Sequence, residues 1–180
     1  MHQSLDFPLA PLRRSSLMWL WLPLALVIGV LIAVAMAQPQ TGRSGLFVTV
    51  PFVLLVGLAL NWALRRRSIR LDNRQLQITA TLYKRTLAVE QIDLQRARVL
   101  SLEEHTELRP RLKTNGFSLP GFYAGHFRLG NLTKAFCLIT DRTRVLSLPL
   151  HDGGQVLLSP EKPVALLDRL RELADARGHR

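Results

Sequence analysis

Two uninterrupted apolar runs open the chain and then give way to short alternating segments. Residues 17–37 read LMWLWLPLALVIGVLIAVAMA, 21 positions without a charge, and residues 46–64 form a second run of 19 whose clearly polar members are Thr49 and Asn61. A helix of about 20 residues matches the roughly 30 Å hydrocarbon core of a bilayer, so each run predicts a transmembrane helix. Residues 38–45, QPQTGRSG, have turn chemistry and are too few to recross the bilayer. The pattern predicts an antiparallel transmembrane hairpin over 17–64 (spans 17–37 and 46–64), an N-terminal tail over 1–16 and a separate domain over 65–180.

Beyond the hairpin the hydrophobic period drops to two. Ile69 and Leu71 alternate with polar neighbours, Asp72-Asn73 marks a turn, and Leu76, Ile78 and Ala80 alternate again, predicting a β-hairpin over 68–72 and 75–81. Further strands are expected at 85–89, 96–102, 123–129, 134–140, 144–148 and 155–158, the later ones parted by Gly130-Asn131, Asp141 and Asp152-Gly153-Gly154. From about 160 to 177 the period lengthens: Val164, Leu167, Leu170 and Ala174, widened by Leu166 and Leu173, make one face of an amphipathic helix. Ser159 is its expected cap, with Pro160 at the first helical position and Gly178 closing the end. The fold class is thus a two-helix transmembrane hairpin plus a mainly-β domain. That domain is expected to be an antiparallel sandwich or partly open barrel with one C-terminal amphipathic helix.

Charge fixes the expected orientation. Arg13 and Arg14 precede the first span and Arg65, Arg66, Arg67 and Arg70 follow the second, against Arg43 alone in the connection. The positive-inside rule then places both termini in the cytoplasm, in a multi-pass membrane protein. Trp19, Trp21 and Trp62 fall near the same ends, where amphipathic rings belong at the interface. Arg13-Arg14 followed by an apolar run and Ala35-Met36-Ala37 also matches a cleavable signal, but the run has the length of a span rather than of a signal core. Along the first span Ala25, Gly29, Ala33 and Ala37 form a small-residue stripe, an expected close-packing face for Gly57 and Asn61 of the second. Residues 65–180 carry 21 Lys/Arg against 12 Asp/Glu, about +9 of the total +11. Beside a bilayer, such a basic domain points to anionic head groups before nucleic acid. Arg65, Arg66, Arg67, Arg70, Lys84 and Arg85 are the candidate lipid-facing residues.

Residues 112–129, LKTNGFSLPGFYAGHFRL, are rich in glycine and aromatics, and are followed by KAFCLITD at 134–141, RVL at 144–146 and VLLSPEKP at 156–163, ahead of the helix. Together these segments resemble the bacterial pleckstrin-homology-like (PH-like) domain membrane proteins, and the resemblance spans nearly the whole chain. It implies the PH-like fold and a preceding helix pair, and it implies little about function. The chain departs from phosphoinositide-binding PH domains: its first hairpin loop, Asp72-Asn73-Arg74, offers one cation, and 161–177 contains no tryptophan. Read from the residues alone, Gly116, Gly121, Gly125 and Pro120 shape the backbone while the aromatics pack around it. Lys113, Asn115, Tyr123 and Arg128 are the candidate rim of a binding groove.

No catalytic, metal or cofactor motif stands out. His2, His105, His126, His151 and His179 are dispersed, no Gly-rich phosphate loop occurs, and Cys137 lies in an apolar run as an expected core thiol of a reducing compartment. No cofactor and no small-molecule substrate is implied. The expected role is a non-enzymatic scaffold or regulatory adaptor whose partners are membrane lipids and another membrane protein or a second copy of the chain, without nucleic acid. A sensor of anionic lipid head groups is the alternative.

Overall fold

A computed structural model describes residues 5–11, 14–37, 42–72 and 74–178; the side chains of 14–17, 42–46, 177 and 178 are not described. Arg13, Asn73, His2, His179 and the 38–41 connection, all used above, lie outside the described residues, as do the side chains of Arg14 and Arg43. The chain divides into two compact units, one of residues 14–65 and one of 66–180 together with the N-terminal tail.

The first unit holds α1 (Arg14–Ala37) and α2 (Gly42–Arg65). Within them Met18–Ala37 and Phe47–Arg65 are long and apolar enough to cross a membrane. Their surfaces are oily all round, with Leu26, Val30, Phe52, Leu55 and Leu58 all exposed. A soluble unit would hide such residues, whereas lipid would not penalise them. The pairing of the two helices departs from expectation. Ala25, Gly29, Ala33 and Ala37 are all exposed, and a methyl built on Gly29 would meet nothing within 4 Å. Gly57 makes the close approach instead, with Trp21 and Leu24 of α1 about 3.2 Å from where its Cβ would be. The less exposed positions of α1 are Leu20, Trp21, Leu24, Ile28, Leu31 and Ala35, and from Trp21 on they recur at intervals of three and four, the spacing of a helix-pair seam. Large α1 side chains meet a gap on α2, so the small-residue stripe is turned away.

The second unit contains two sheets. The first is a four-stranded antiparallel sheet in chain order: β1 (Leu5–Phe7), β2 (Arg67–Asp72), β3 (Gln75–Ala80) and β4 (Tyr83–Ala88). Alternation gave β2 and β3 closely, and the strand expected at 85–89 is β4, begun two residues earlier; β1 was not predicted and comes from the tail. The second sheet holds β5 (Arg98–Leu100), β6 (Pro110–Leu119), β7 (Phe122–Leu129), β8 (Lys134–Ile139), β9 (Val145–Pro149) and β10 (Gln155–Leu158), in the spatial order β5-β9-β10-β8-β7-β6. β10 slots between β8 and β9, parallel to β8 and antiparallel to β9. The sheets do not close into a barrel. β6 was not expected as a strand.

One face of the first sheet carries Ile69, Leu71, Leu76, Ile78 and Leu87, all buried. It faces Phe122, Phe136 and their neighbours on the second sheet, since Tyr83 meets His126 edge to face and the Arg67 and Arg85 guanidiniums lie over the Phe122 and Phe136 rings. The opposite face of the second sheet packs a further cluster in which Phe127, Cys137, Ile139, Val145 and Leu157 meet Leu100, Leu102 and Leu108. Burial on both faces explains why β8 and β10 read as continuous apolar runs rather than alternations. The C-terminal helix α3 (Pro163–Gly178) lies against β5, β9 and a 3-10 turn at Val89–Gln91, burying Leu166, Leu167 and Leu170. It begins at Pro163 rather than Pro160. Ser159 is no cap: it is buried, and its hydroxyl donates to the Asp141 carbonyl at 2.8 Å. Proline at the first helical position is still the rule obeyed, one proline later.

Candidate functional site

Strand parity divides the six candidate lipid-facing cations. Ile69, Ile78 and Arg85 stand in one cross-strand row, and Arg67 shares their inward face; Ser68, Thr79 and Lys84 form a row on the other face, as do Arg70, Gln77 and Thr86. Arg67 has its guanidinium 5.8 Å from the centre of the Phe122 ring, with Nε and Nη1 buried and unpartnered among the described residues. Burial holds its pKa below the ordinary arginine value, because an enclosed site disfavours the charged form. Arg85 lies 5.9 Å from the Phe136 ring centre, and Arg70 pairs with Asp6 of β1 at 2.9 Å. Arg65, Arg66 and Lys84 are exposed. The six therefore do not make one surface patch: two are drawn inward onto aromatic rings and a third is ion-paired.

The candidate groove residues are divided as well. Lys113 stands opposite Phe127, but an irregularity in pairing before Asn115 places Asn115 opposite His126, one position on. Lys113 and Tyr123 consequently share one face of the sheet, and Asn115 and Arg128 share the other. Two glycines permit this crowded pairing. Gly116 and Gly125 face each other across β6 and β7, and Gly125 has φ +112°. The turn joining the strands is Pro120-Gly121, with Gly121 at φ +81°, the conformation a tight turn asks of glycine after proline.

Tyr123 enters a cavity of about 440 Å³ that periodicity did not foreshadow. Three arginines reach its wall: Arg109 after a 3-10 turn at Thr106–Leu108, Arg111 at a bulge near the start of β6, and Arg142 in the β8–β9 turn. Arg109 donates from Nε to the Leu102 carbonyl at 2.5 Å and from Nη2 to the Glu103 carbonyl at 3.0 Å. Arg142 donates from Nη2 to the Tyr123 hydroxyl at 2.6 Å, and its backbone carbonyl accepts from Leu102 N–H at 2.8 Å. Leu102 and Pro110 supply the apolar wall, and among the described residues no carboxylate lines the space. The paired arginines of Arg109-Pro110-Arg111 were a visible signal, but without β6 nothing connected them to Arg142.

The sequence model of the family described as Bacterial PH domain matches residues 59–174. The chain belongs to the bacterial PH-domain family. The match starts inside α2, covers the second unit apart from β1, and ends within α3. No curated protein and no solved structure matches the chain. PH domains are as a rule binding modules, which points to a binding or adaptor role. Within this PH domain Cys137 is wholly buried with its thiol pKa pushed up by desolvation, the opposite of an activated nucleophile. Among the described residues no three of His, Cys, Asp or Glu gather in a metal-binding group. The cavity offers fixed donors and an apolar wall.

Proposed function

We propose that the protein is a non-enzymatic, membrane-anchored PH-like scaffold or regulatory adaptor for other membrane proteins. Residues 17–64 anchor it as a hairpin in the inner membrane of a bacterium, and residues 65–180 form the binding part on the cytoplasmic side. The observation that carries this reading is β6. It is the last strand of its sheet, ten residues long and exposed along most of its length, and among the described residues β7 alone pairs with it. Its outer backbone groups offer a template for an extended segment of a partner, which would add as a further strand. β6 contains Arg111 and Lys113 and no acidic residue, so an acidic or neutral segment suits it. The engagement of Arg67, Arg70 and Arg85 weighs against the alternative, a head-group sensor built on those cations.

The test is photo-crosslinking of the full-length protein in its native membrane, with the reactive residue placed at Lys113 or Ser118 of β6 and, as control, at Gln77 on the outer face of the first sheet. A discrete membrane-protein adduct from β6 and none from Gln77 is expected. Adducts with lipid alone would move the reading to head-group binding, and equal labelling at all three positions would sink it.

A further inference from the structure

We propose that the cavity walled by Arg109, Arg111, Arg142 and Tyr123 binds a phosphate monoester group. Two of the arginines flank Pro110 and the third comes from the β8–β9 turn, yet all three line one space of about 440 Å³, with no carboxylate among its described lining residues. Like charges brought together without a counter-charge repel, so the arrangement favours an anion between them. Asp141 and Glu107, near the cavity residues in sequence, lie outside the lining and have partners of their own. Asp141 accepts from the backbone N–H and hydroxyl of Thr143 at 3.0 and 2.8 Å, and Glu107 pairs with His105 at 3.1 Å. Glu103 and Glu104 are exposed, outside the lining.

Two of the three arginines are fixed in advance. The carbonyls of Leu102 and Glu103 hold Arg109, and the Tyr123 hydroxyl holds Arg142, so little side-chain freedom remains to be lost on binding. The tyrosine oxygen accepts from Arg142, leaving its own proton to donate, and Thr106 adds a hydroxyl at the rim. Several arginine forks plus a hydroxyl suit the multiple oxygens and double charge of a phosphate monoester better than the two oxygens of a carboxylate. The volume falls within the range of small-molecule sites, with space for a polar body beyond the phosphate. Lipids and soluble molecules both carry such a group, and the chemistry is shared. This site shares Arg111 with β6 but does not depend on the adaptor reading, because its ligand enters a cavity and the proposed partner adds along a strand edge.

The chain has two tyrosines, Tyr83 and Tyr123, so 3-fluorotyrosine labelling gives one ¹⁹F probe in the site and one control. The full-length labelled protein in phosphatidylcholine nanodiscs is titrated with inorganic phosphate, and with sodium chloride at matched ionic strength. In a second arm the discs contain phosphatidic acid and no phosphate is added. A saturable shift of the Tyr123 resonance, with Tyr83 unmoved and chloride inert, is expected. Response to soluble phosphate alone assigns a soluble ligand, and response in phosphatidic acid discs assigns a lipid. Arg111→Gln, at an exposed position, is expected to weaken the response about tenfold, the loss of one charge-assisted hydrogen bond. No Tyr123 shift in either arm, an equal shift with chloride, or an unchanged midpoint in Arg111→Gln would overturn the proposal.

Discussion

Replacing Gly125 by alanine should damage the PH-like unit far more than its single added carbon suggests. A Cβ there would lie 2.7 Å from the Asn115 carbonyl oxygen and 2.7 Å from the Gly116 Cα, both backbone atoms of the neighbouring strand. Neither can rotate away, so relief requires β6 to move off β7, at a cost of about 1–3 kcal/mol typical of an overpacked site. The φ of +112° adds strain that L side chains resist, about 1–3 kcal/mol more. The sum is about 4 kcal/mol, a fall in Tm on the order of 10 °C for a unit of this size. Gly153→Ala separates the two contributions: its φ is +80° but nothing lies within 4 Å of the added carbon, so it should cost only about 1–2 kcal/mol. Both variants of the full-length protein in detergent can be melted by far-UV circular dichroism, with hydrogen exchange locating the loss. Exchange should rise in β6 and β7 for Gly125→Ala. Equal Tm shifts in the two variants would refute the steric reasoning, and with it the described pairing of Gly116 with Gly125.

Three smaller predictions concern buried polar groups. Cys137 stays a neutral thiol in the fold while the unfolded chain releases its proton above the ordinary value of 9.0, so stability should fall above that pH by about 1.4 kcal/mol per unit. Denaturant melts from pH 8 to 10 should show that slope, and Cys137→Ala should lack this part of it. Arg67→Met should be neutral or stabilising by about 1 kcal/mol, because Met keeps the apolar contact with Phe122 and removes buried donors without partners; a clear loss in Tm would mean the guanidinium is paired in the membrane-bound protein. Ser159→Ala should cost about 1 kcal/mol by removing a part-buried hydrogen bond to the Asp141 carbonyl, with hydrogen exchange rising at the end of β8 and not in the first turn of α3.

What the residues revealed in advance follows from how each element is stabilised. The two spans carry their length and apolarity, and α3 its period, in their own sequence, and β2 to β4 alternate because only one face of their sheet is buried. β1 has three residues, Leu5–Phe7, and rests on its pairing with β2 rather than on any pattern of its own. β6 hides behind Asn115 and Gly116, residues that discourage strands; Gly116 is there because Ala124 O would lie 2.7 Å from a Cβ. The parallel pairing of β8 with β10 leaves no trace in KAFCLI or QVLL, since burial on both faces erases alternation. The candidate groove residues are divided between two faces for a related reason. Positions two apart on a strand share a face only while pairing stays in register, and the irregularity between Lys113 and Asn115 turns them to opposite faces. The other shift in β6, between Pro110 and Leu112, spans Arg111, which reaches the cavity shared by Arg109, Arg142 and Tyr123. A site assembled at bulges obeys the backbone of the neighbouring strand as much as its own sequence. Its residues become legible only after the register is known.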